Sequence, residues 1–252
     1  MPKVVVVVPT FNEAENIPKL VDDLLALPVP GIEVLIVDDN SPDGTGQLVD
    51  DLTVRLPGRV HVMHRSGKMG LGTAYLQGFK WALDNGADTI LQMDADYSHD
   101  PKYIPQMMEA IKDHDAVIGS RYTQGGKLDE QWGIGRRLLS WWANAVWVHT
   151  ILNTPFADNT GGFRAWRRNT LIGIDLDRIK SNGYIYQVEI TYIAYRLGYT
   201  FAEVPIYFAD RKYGTSKMGL KIQIEAALRV FQVWYLHHGL TPANRATAKI
   251  GI

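Results

Sequence analysis

The 252-residue chain contains no cysteine, which excludes a disulfide framework, a thiolate zinc site, an iron–sulfur cluster and a cysteine nucleophile. Any metal it uses must sit on oxygen or imidazole. It also lacks an excess of charge of one sign, with 26 basic side chains against 27 acidic ones, so neither disorder nor a wholesale nucleic-acid footprint is indicated. No run of about 18 uncharged apolar residues is present, the length a membrane-spanning helix needs. The N-terminal MPKVVVVVPTFNE turns polar directly after five valines, which fits a buried parallel strand rather than a signal sequence. The expectation is a cytoplasmic protein, with membrane contact from one side left open.

What is present is an alternation. Apolar, β-branched runs recur at Lys3–Pro9, Glu33–Asp38, Arg59–Met63, Asp88–Met93 and Asp115–Ser120, with amphipathic segments such as Asn12–Leu27 and Gly70–Asn85 between them. This is the pattern of βαβ units on a mostly parallel sheet covered by helices, so the fold class is α/β. Open sheets of this kind bind ligands beyond the carboxyl ends of their strands. After about Gly125 the character changes: WGIGRRLLSWWANAVWVHTILN is aromatic and basic and holds Trp132, Trp141, Trp142 and Trp147. A further strand is expected over Thr200–Phe208, and a final helix over Lys217–His238 with Lys221, Glu225, Arg229 and Gln232 on one stripe and an apolar opposite face.

The sharpest chemical feature is Asp94-Ala95-Asp96 in LQMDADYSHD, directly after an apolar run. Alternate residues of an extended segment point the same way, so both carboxylates can reach one hard cation that also takes phosphate oxygens. An isolated DxD can equally cap the next helix, at Pro101. Its company decides: Glu13 follows the first strand by a short turn, and Asp38 and Asp39 end the second, all at the same carboxyl edge. Carboxylates here can accept from a nucleobase edge or from ribose hydroxyls. Asp39 takes the ligand role and Ser41–Thr45 the role of a turn and helix cap. A phosphate-handling site this acidic needs cations, and Arg121, Arg211 and Lys217 each lie beside a strand end.

The ordered set PTFNEAENI, IVDDNSPDGT, GLGTAY, MDADYSH, GSRY, TGGFRAWRR and VPIYFADRKYGTSK resembles the dolichol- or polyprenol-phosphate mannose synthases, inverting glycosyltransferases of the GT-A fold. The resemblance spans roughly Val4 to Lys217. It implies transfer of mannose from GDP-mannose to the phosphate of a polyprenol lipid, with Mg2+ or Mn2+. It also implies that Pro9, Phe11, Glu13, Val37 and Asp39 line the nucleotide pocket and that Asp94 and Asp96 hold metal and diphosphate. Ala95 then lies against the donor with its backbone, and Arg121, Arg211 and Lys217 neutralise phosphate charge. Two departures stand out. Phe11 replaces a frequent Tyr, which removes a phenolic hydrogen bond and keeps base stacking. Ser98 stands where many bacterial and archaeal members carry a metal-ligating Gln, which leaves the third protein ligand open.

The acceptor phosphate is mostly a dianion at neutral pH and already a nucleophile, so no catalytic base is required. None of the seven histidines forms a convincing dyad, and His99, though near the metal motif, is assigned no role. Arg136 and Ser140, one helical turn apart, are the candidates for the acceptor phosphate. Residues 1–216 are expected to form the catalytic domain, with 126–155 a helical insertion facing acceptor and membrane, and 217–252 an amphipathic helix and tail that rests on the cytoplasmic face of a membrane. The alternatives are a glucosyltransferase using UDP-glucose with the same lipid and a non-catalytic nucleotide-sugar-binding protein. A sugar nucleotidyltransferase would place a glycine-rich basic loop after the first strand, where this chain has PTFNEAEN.

Overall fold

The computed structural model describes residues 2–209 and 220–247. The run of valines forms β1 (Val4–Thr10), and it is unbroken because both of its faces are buried. Val4, Val6 and Val8 pack on one side with Leu20 and Leu24 of α1 (Ile17–Leu25), Val49 of α2 (Thr45–Arg55) and Met107 of α4 (Ile104–Ala110). Val5 and Val7 pack on the other with Tyr75 and Phe79 of α3 (Leu71–Asp84), Leu171 of α7 (Arg168–Ile174) and Ile190 of α8 (Tyr186–Arg196). Each fully buried valine contributes on the order of 1.5 kcal/mol or more. Gly78 sets the depth of α3 on the sheet, because a Cβ there would fall 2.4 Å from Cγ1 of Val7.

β2 (Ile32–Asp38) and β4 (Thr89–Gln92) flank β1, both parallel to it, and β3 (Val60–His64) lies outside β2. Among the described residues the full order is β3-β2-β1-β4-β7-β5-β8, with β5 at Ala116–Ser120, β7 at Arg164–Arg167 and β8 at Phe201–Pro205. The five expected early strands are all present, within one residue at each end. The chain winds outward from β1 to β3 and returns on the other side as β4. The crevice where the order reverses, between β1 and β4, is the usual ligand position in such sheets.

Two features differ from the sequence expectation. β7 runs antiparallel between β4 and β5. Its sequence, RAWR, hid it: Arg164 is fully buried, and its guanidinium donates to the main-chain oxygens of Asn159 and Gln187 and to Thr191 Oγ1. The expected strand Thr200–Phe208 divides at Ile206, whose N–H donates to Ser120 O while its carbonyl accepts from Lys127 N. The chain then leaves the main sheet as β9 (Tyr207–Phe208) and pairs with β6 (Lys127–Leu128).

α5 (Ile134–Trp141) continues through a π-helical stretch, Trp142–Val148, into α6 (His149–Leu152). α9 (Leu220–His237) packs on this segment and on α8 through Val230 and Val233, against Val148, Leu152, Val188 and Tyr192. Trp147 turns inward, donating from Nε1 to Ala227 O at 3.0 Å. Trp141 and Trp142 remain about half exposed, as do Phe231 and Trp234 of α9. Among the described residues no helix is long and apolar enough to cross a membrane.

Candidate active site

The loops after β1 and β2 are stitched together at the crevice. Asn12, in the left-handed region at φ 60°, turns the chain so that Asn12 N donates to Ser41 Oγ, Glu13 N to Thr45 Oγ1 and Ala14 N to Asp43 Oδ2, at 3.0 to 3.1 Å. This turn delays α1, which starts at Ile17 rather than Asn12, with Pro18 in its first turn. Asp43 also accepts from Thr45 N at the start of α2, so the Ser41–Thr45 segment acts as the expected turn and cap. Glu13 accepts from Asn16 Nδ2 at 2.8 Å.

The two acids that end β2 divide their roles. Asp38 is a scaffold, accepting from Thr10 Oγ1, Ser41 Oγ and Ser41 N. Asp39 meets the buried Arg65 guanidinium, Nη1 to Oδ1 at 2.9 Å, and Arg65 Nη2 donates to Thr73 Oγ1 at 2.6 Å. Burial lowers the Arg65 pKa and the Asp39 charge opposes that shift. Lys68 Nζ stands 3.6 Å above the Phe11 ring. Sequence reading missed both cations, because each lies in the β3–α3 loop at the end of a strand from which no acid had drawn attention. The Val37 side chain is wholly buried in the core, so a part for Val37 in a nucleotide pocket falls to its main chain. Pro9 is half-buried beside it in register.

β4 ends at Gln92 and delivers Asp94 and Asp96 to the same crevice. Asp94 Oδ1 accepts from Tyr75 Oη at 2.9 Å, and Asp94 N donates to His99 Nδ1 at 3.0 Å. Burial, reinforced by the Asp94 charge, holds the Tyr75 phenol well above its ordinary pKa, so it stays a donor. Burial likewise lowers the His99 pKa and keeps the ring neutral, which leaves Nδ1 the acceptor. Asp96 Oδ1 accepts from Ser98 Oγ at 2.6 Å and from Ser98 N at 3.1 Å, with Tyr97 between them at φ 61°. Ala95 is buried in the core. The helix-capping reading of the DxD is not what forms, since Asp100 caps the turn at Pro101 by accepting from Lys102 N.

This donor set fits a hard divalent cation. Asp94 and Asp96 offer carboxylate oxygens on one short segment, while Tyr75 and Ser98 hold them in place. Among the described residues no group of three or more His, Cys, Asp or Glu side chains converges, so a cation here would complete its shell with phosphate oxygens and water.

Arg121, at the end of β5, is buried and committed on one side. Its Nε and Nη2 donate to Asp158 Oδ2 and Oδ1, both at 2.7 Å, its main-chain N donates to Oδ2, and Nη2 also reaches Thr160 Oγ1 at 2.6 Å. Burial works against the charge on Arg121, yet Asp158 outweighs it and raises the guanidinium pKa. The Asp158 carboxyl is in turn lowered, Arg121 overcoming its burial. Asp158 had no sequence signal of its own beyond preceding TGGFR. Ser140 Oγ is hydrogen-bonded to Tyr122 Oη at 2.7 Å. Arg121 and Tyr122 line an open cleft of about 640 Å³ bordered by β6 and α5. Arg211 and Lys217, and the side chain of Arg136, lie outside the described residues.

Glycosyl transferase family 2 matches residues 5–173, more than half of the chain. The chain belongs to that family. An undecaprenyl-phosphate mannosyltransferase from Micrococcus luteus is 45% identical over 228 residues, covering 90% of this chain and 92% of the relative. A polyprenol monophosphomannose synthase from Mycolicibacterium smegmatis is 42% identical over 229 residues, covering 90% and 85%. In fold, the chain is similar to glucosyl-3-phosphoglycerate synthase from Mycobacterium tuberculosis, solved with Mn2+, UDP-glucose and phosphoglyceric acid, at a TM-score of 0.65 and 14% identity over 100% of this chain and 83% of that one. A mannosyltransferase from Pyrobaculum calidifontis, solved with GDP-Man and Mn2+, matches at 0.60 and 19% over 93% and 63%. This family 2 protein is therefore a glycosyltransferase of GT-A-like fold, as its motifs led one to expect.

Proposed function

We propose that the protein transfers mannose from GDP-mannose to the phosphate of a polyprenyl lipid, inverting the anomeric centre, with Mg2+ or Mn2+ at Asp94 and Asp96. The observation that carries the reading is that β2, β1 and β4, adjacent and parallel, carry Asp39, the Phe11–Glu13 loop and the two carboxylates at one carboxyl edge of the sheet. Two relatives above 40% identity named for mannose and polyprenyl phosphate support it.

The chemistry asks little of a base. The acceptor phosphate is largely dianionic near neutrality, its second pKa being about 6, and attacks without losing a proton to the protein. His99 is used up in holding the Asp94 main chain. What the chain must supply is orientation and charge. Asp39, fixed by Arg65, and Glu13, fixed by Asn16, present acceptor oxygens to base or ribose. A divalent cation bound at Asp94 and Asp96 supplies positive charge for the departing diphosphate. Arg121 lies at the junction of donor and acceptor, and Arg211 and Lys217 are proposed to join it. Ser140, through Tyr122, and Arg136 are proposed on the acceptor side.

Trp142 stacks on Trp147, which meets Phe231 of α9 edge-on, and Trp141, Trp142, Phe231 and Trp234 are all about half exposed on these two helical segments, where α9 also carries the Arg229–Glu225 pair at 2.9 Å. We assign these exposed aromatic side chains to the surface of a membrane, at the cytoplasmic leaflet. On this proposal residues 1–216 form the catalytic unit, with 126–155 its lipid-facing insertion and 217–252 the accessory helix and tail.

Calorimetric titration with Mn2+ present separates the donors. GDP-mannose should bind at least tenfold more tightly than UDP-glucose, and the reverse ranking would overturn the donor assignment.

A further inference from the structure

Asparagine within a helix ordinarily keeps its side chain in solvent, because the amide competes with the helix's own hydrogen bonds. Asn144 does the opposite. It lies in the π-helical stretch Trp142–Val148 and is fully buried. Asn144 and Val148, four residues apart, turn inward, while Trp142 and Val146 stay exposed. A buried amide is costly unless its polar atoms are met, and here main chain meets both ends. Asn144 Oδ1 accepts from Asn159 N at 2.7 Å, and Asn144 Nδ2 donates to Ala157 O. Short π-helical segments are frequent at functional positions.

The loop that Asn144 grips is the one that holds Arg121. Asp158 stands between the two gripped residues and accepts from Nε and Nη2 of Arg121. Three side chains fix the main chain of this loop. Glu203 of β8 accepts from Ala157 N and Asp158 N at 2.9 and 3.0 Å, Arg164 of β7 donates to Asn159 O at 3.0 Å, and Asn144 spans the residues on either side of Asp158. Glu203 and Arg164 belong to the sheet whose β5 ends at Arg121. Asn144 comes instead from the helical segment that bears Trp141 and Trp142. Among the described residues Arg121 Nη1 has no hydrogen-bond partner. Because Nε and Nη2 are tied to Asp158, a shift of that carboxylate turns Nη1 with it.

We propose that Asn144 is a positioning residue for Arg121. The π-helical stretch sets its amide onto the 157–159 loop, the loop sets Asp158, and Asp158 sets the guanidinium, so the helical segment carrying the exposed tryptophans fixes where Arg121 presents its charge. The inference rests on the role given to Arg121 in the proposed function and adds the residue that holds it in place.

Asn144→Ala should lower kcat for mannose transfer about 10- to 100-fold, the scale of a displacement of about 1 Å, with the KM for GDP-mannose within about twofold of wild type. Asn144→Asp keeps an acceptor for Asn159 N and loses the donor to Ala157 O, so it should fall between, and it decides the matter if the alanine variant does not fold. Both residues act through one guanidinium, so adding Asn144→Ala to Arg121→Ala should cost less than about a further twofold. Arginine-labelled NMR reads the pair without turnover: the Arg121 Nε–H resonance, identified as the one lost in Arg121→Ala, should shift in Asn144→Ala. Wild-type kcat with an unshifted Arg121 resonance in a folded Asn144 variant would overturn the proposal, as would losses that multiply in the double variant. If the wild type transfers no mannose while Asn144→Ala still shifts the Arg121 resonance, the reaction assignment fails and the positioning stands.

Discussion

The guanidinium of Arg121 and the carboxylate of Asp158 meet edge to edge, Nε to Oδ2 and Nη2 to Oδ1, both at 2.7 Å. Asp158 Oδ1 also accepts from Gly161 N at 2.9 Å, and Asp158 N donates to Glu203 Oε1 at 3.0 Å. One arginine at the end of β5 is thus locked to the loop that leads into the antiparallel β7. Removing one partner of a buried pair leaves the other charge uncompensated, at a cost of about 3–5 kcal/mol. Asp158→Asn should lower stability by that order in urea denaturation, and Thr160→Ala, which removes only a hydroxyl at the rim of the pair, should cost far less. Equal losses in the two variants would mean the pair is not the organising contact.

A second prediction concerns the metal-site carboxylate. Tyr75→Phe deletes the donor to Asp94 Oδ1 and leaves the ring that packs between Phe79 and Tyr186. Hydrogen bonds to charged groups are worth about 1.5–3 kcal/mol, so Mn2+ with GDP should bind at least tenfold more weakly, with the melting temperature within a few degrees of wild type. Unaltered Mn2+ affinity by titration would remove Tyr75 from the support of Asp94.

The depth of α3 on the sheet is tested at Gly78. An added methyl at 2.4 Å from Val7 Cγ1 must push helix or strand aside, and overpacking of this kind costs about 1–3 kcal/mol. Gly78→Ala should show that loss in chemical denaturation. Gly58→Ala, where a Cβ meets nothing but φ is 73°, isolates backbone strain from packing.

The acid limb of stability has an identifiable contributor in Glu189. Although burial alone would raise its pKa, hydrogen bonds from His237 and from Ser181 and Lys180 hold it below the ordinary glutamate range. A carboxyl lowered in the folded state adds stability above its unfolded pKa and loses it as pH falls through the folded value. The contribution should therefore be complete at pH 7 and be lost progressively as the pH falls from the ordinary glutamate value of about 4.3 through the lower folded value. Glu189→Gln should be less stable than wild type at pH 7 by denaturant midpoint, and the gap should close as the pH drops below that value.

Much of this molecule was legible in its sequence because the early strands are buried on both faces and read as continuous apolar runs. The acids stand out by following those runs directly, which is why Glu13, Asp39, Asp94 and Asp96 are the candidates the sequence offers. Arg164 and Trp166 were opaque: an arginine buried against carbonyl oxygens has no apolar signature, so nothing in RAWR marks β7 as a strand. Arg65, Lys68 and Asp158 were missed because their partners are 26 to 57 residues distant in the chain in no fixed spacing.

The central claim is that the carboxylates of Asp94 and Asp96 serve transfer of mannose to a lipid phosphate. The direct measurement is passage of label from GDP-mannose into an organic-extractable product with polyprenyl phosphate, with and without Mn2+ or Mg2+, for wild type and Asp96→Asn. Metal-dependent label in the lipid phase for wild type, reduced at least a hundredfold in Asp96→Asn, is the predicted result. Label that appears equally without metal, or no transfer from GDP-mannose to polyprenyl phosphate under any of these conditions, would contradict it.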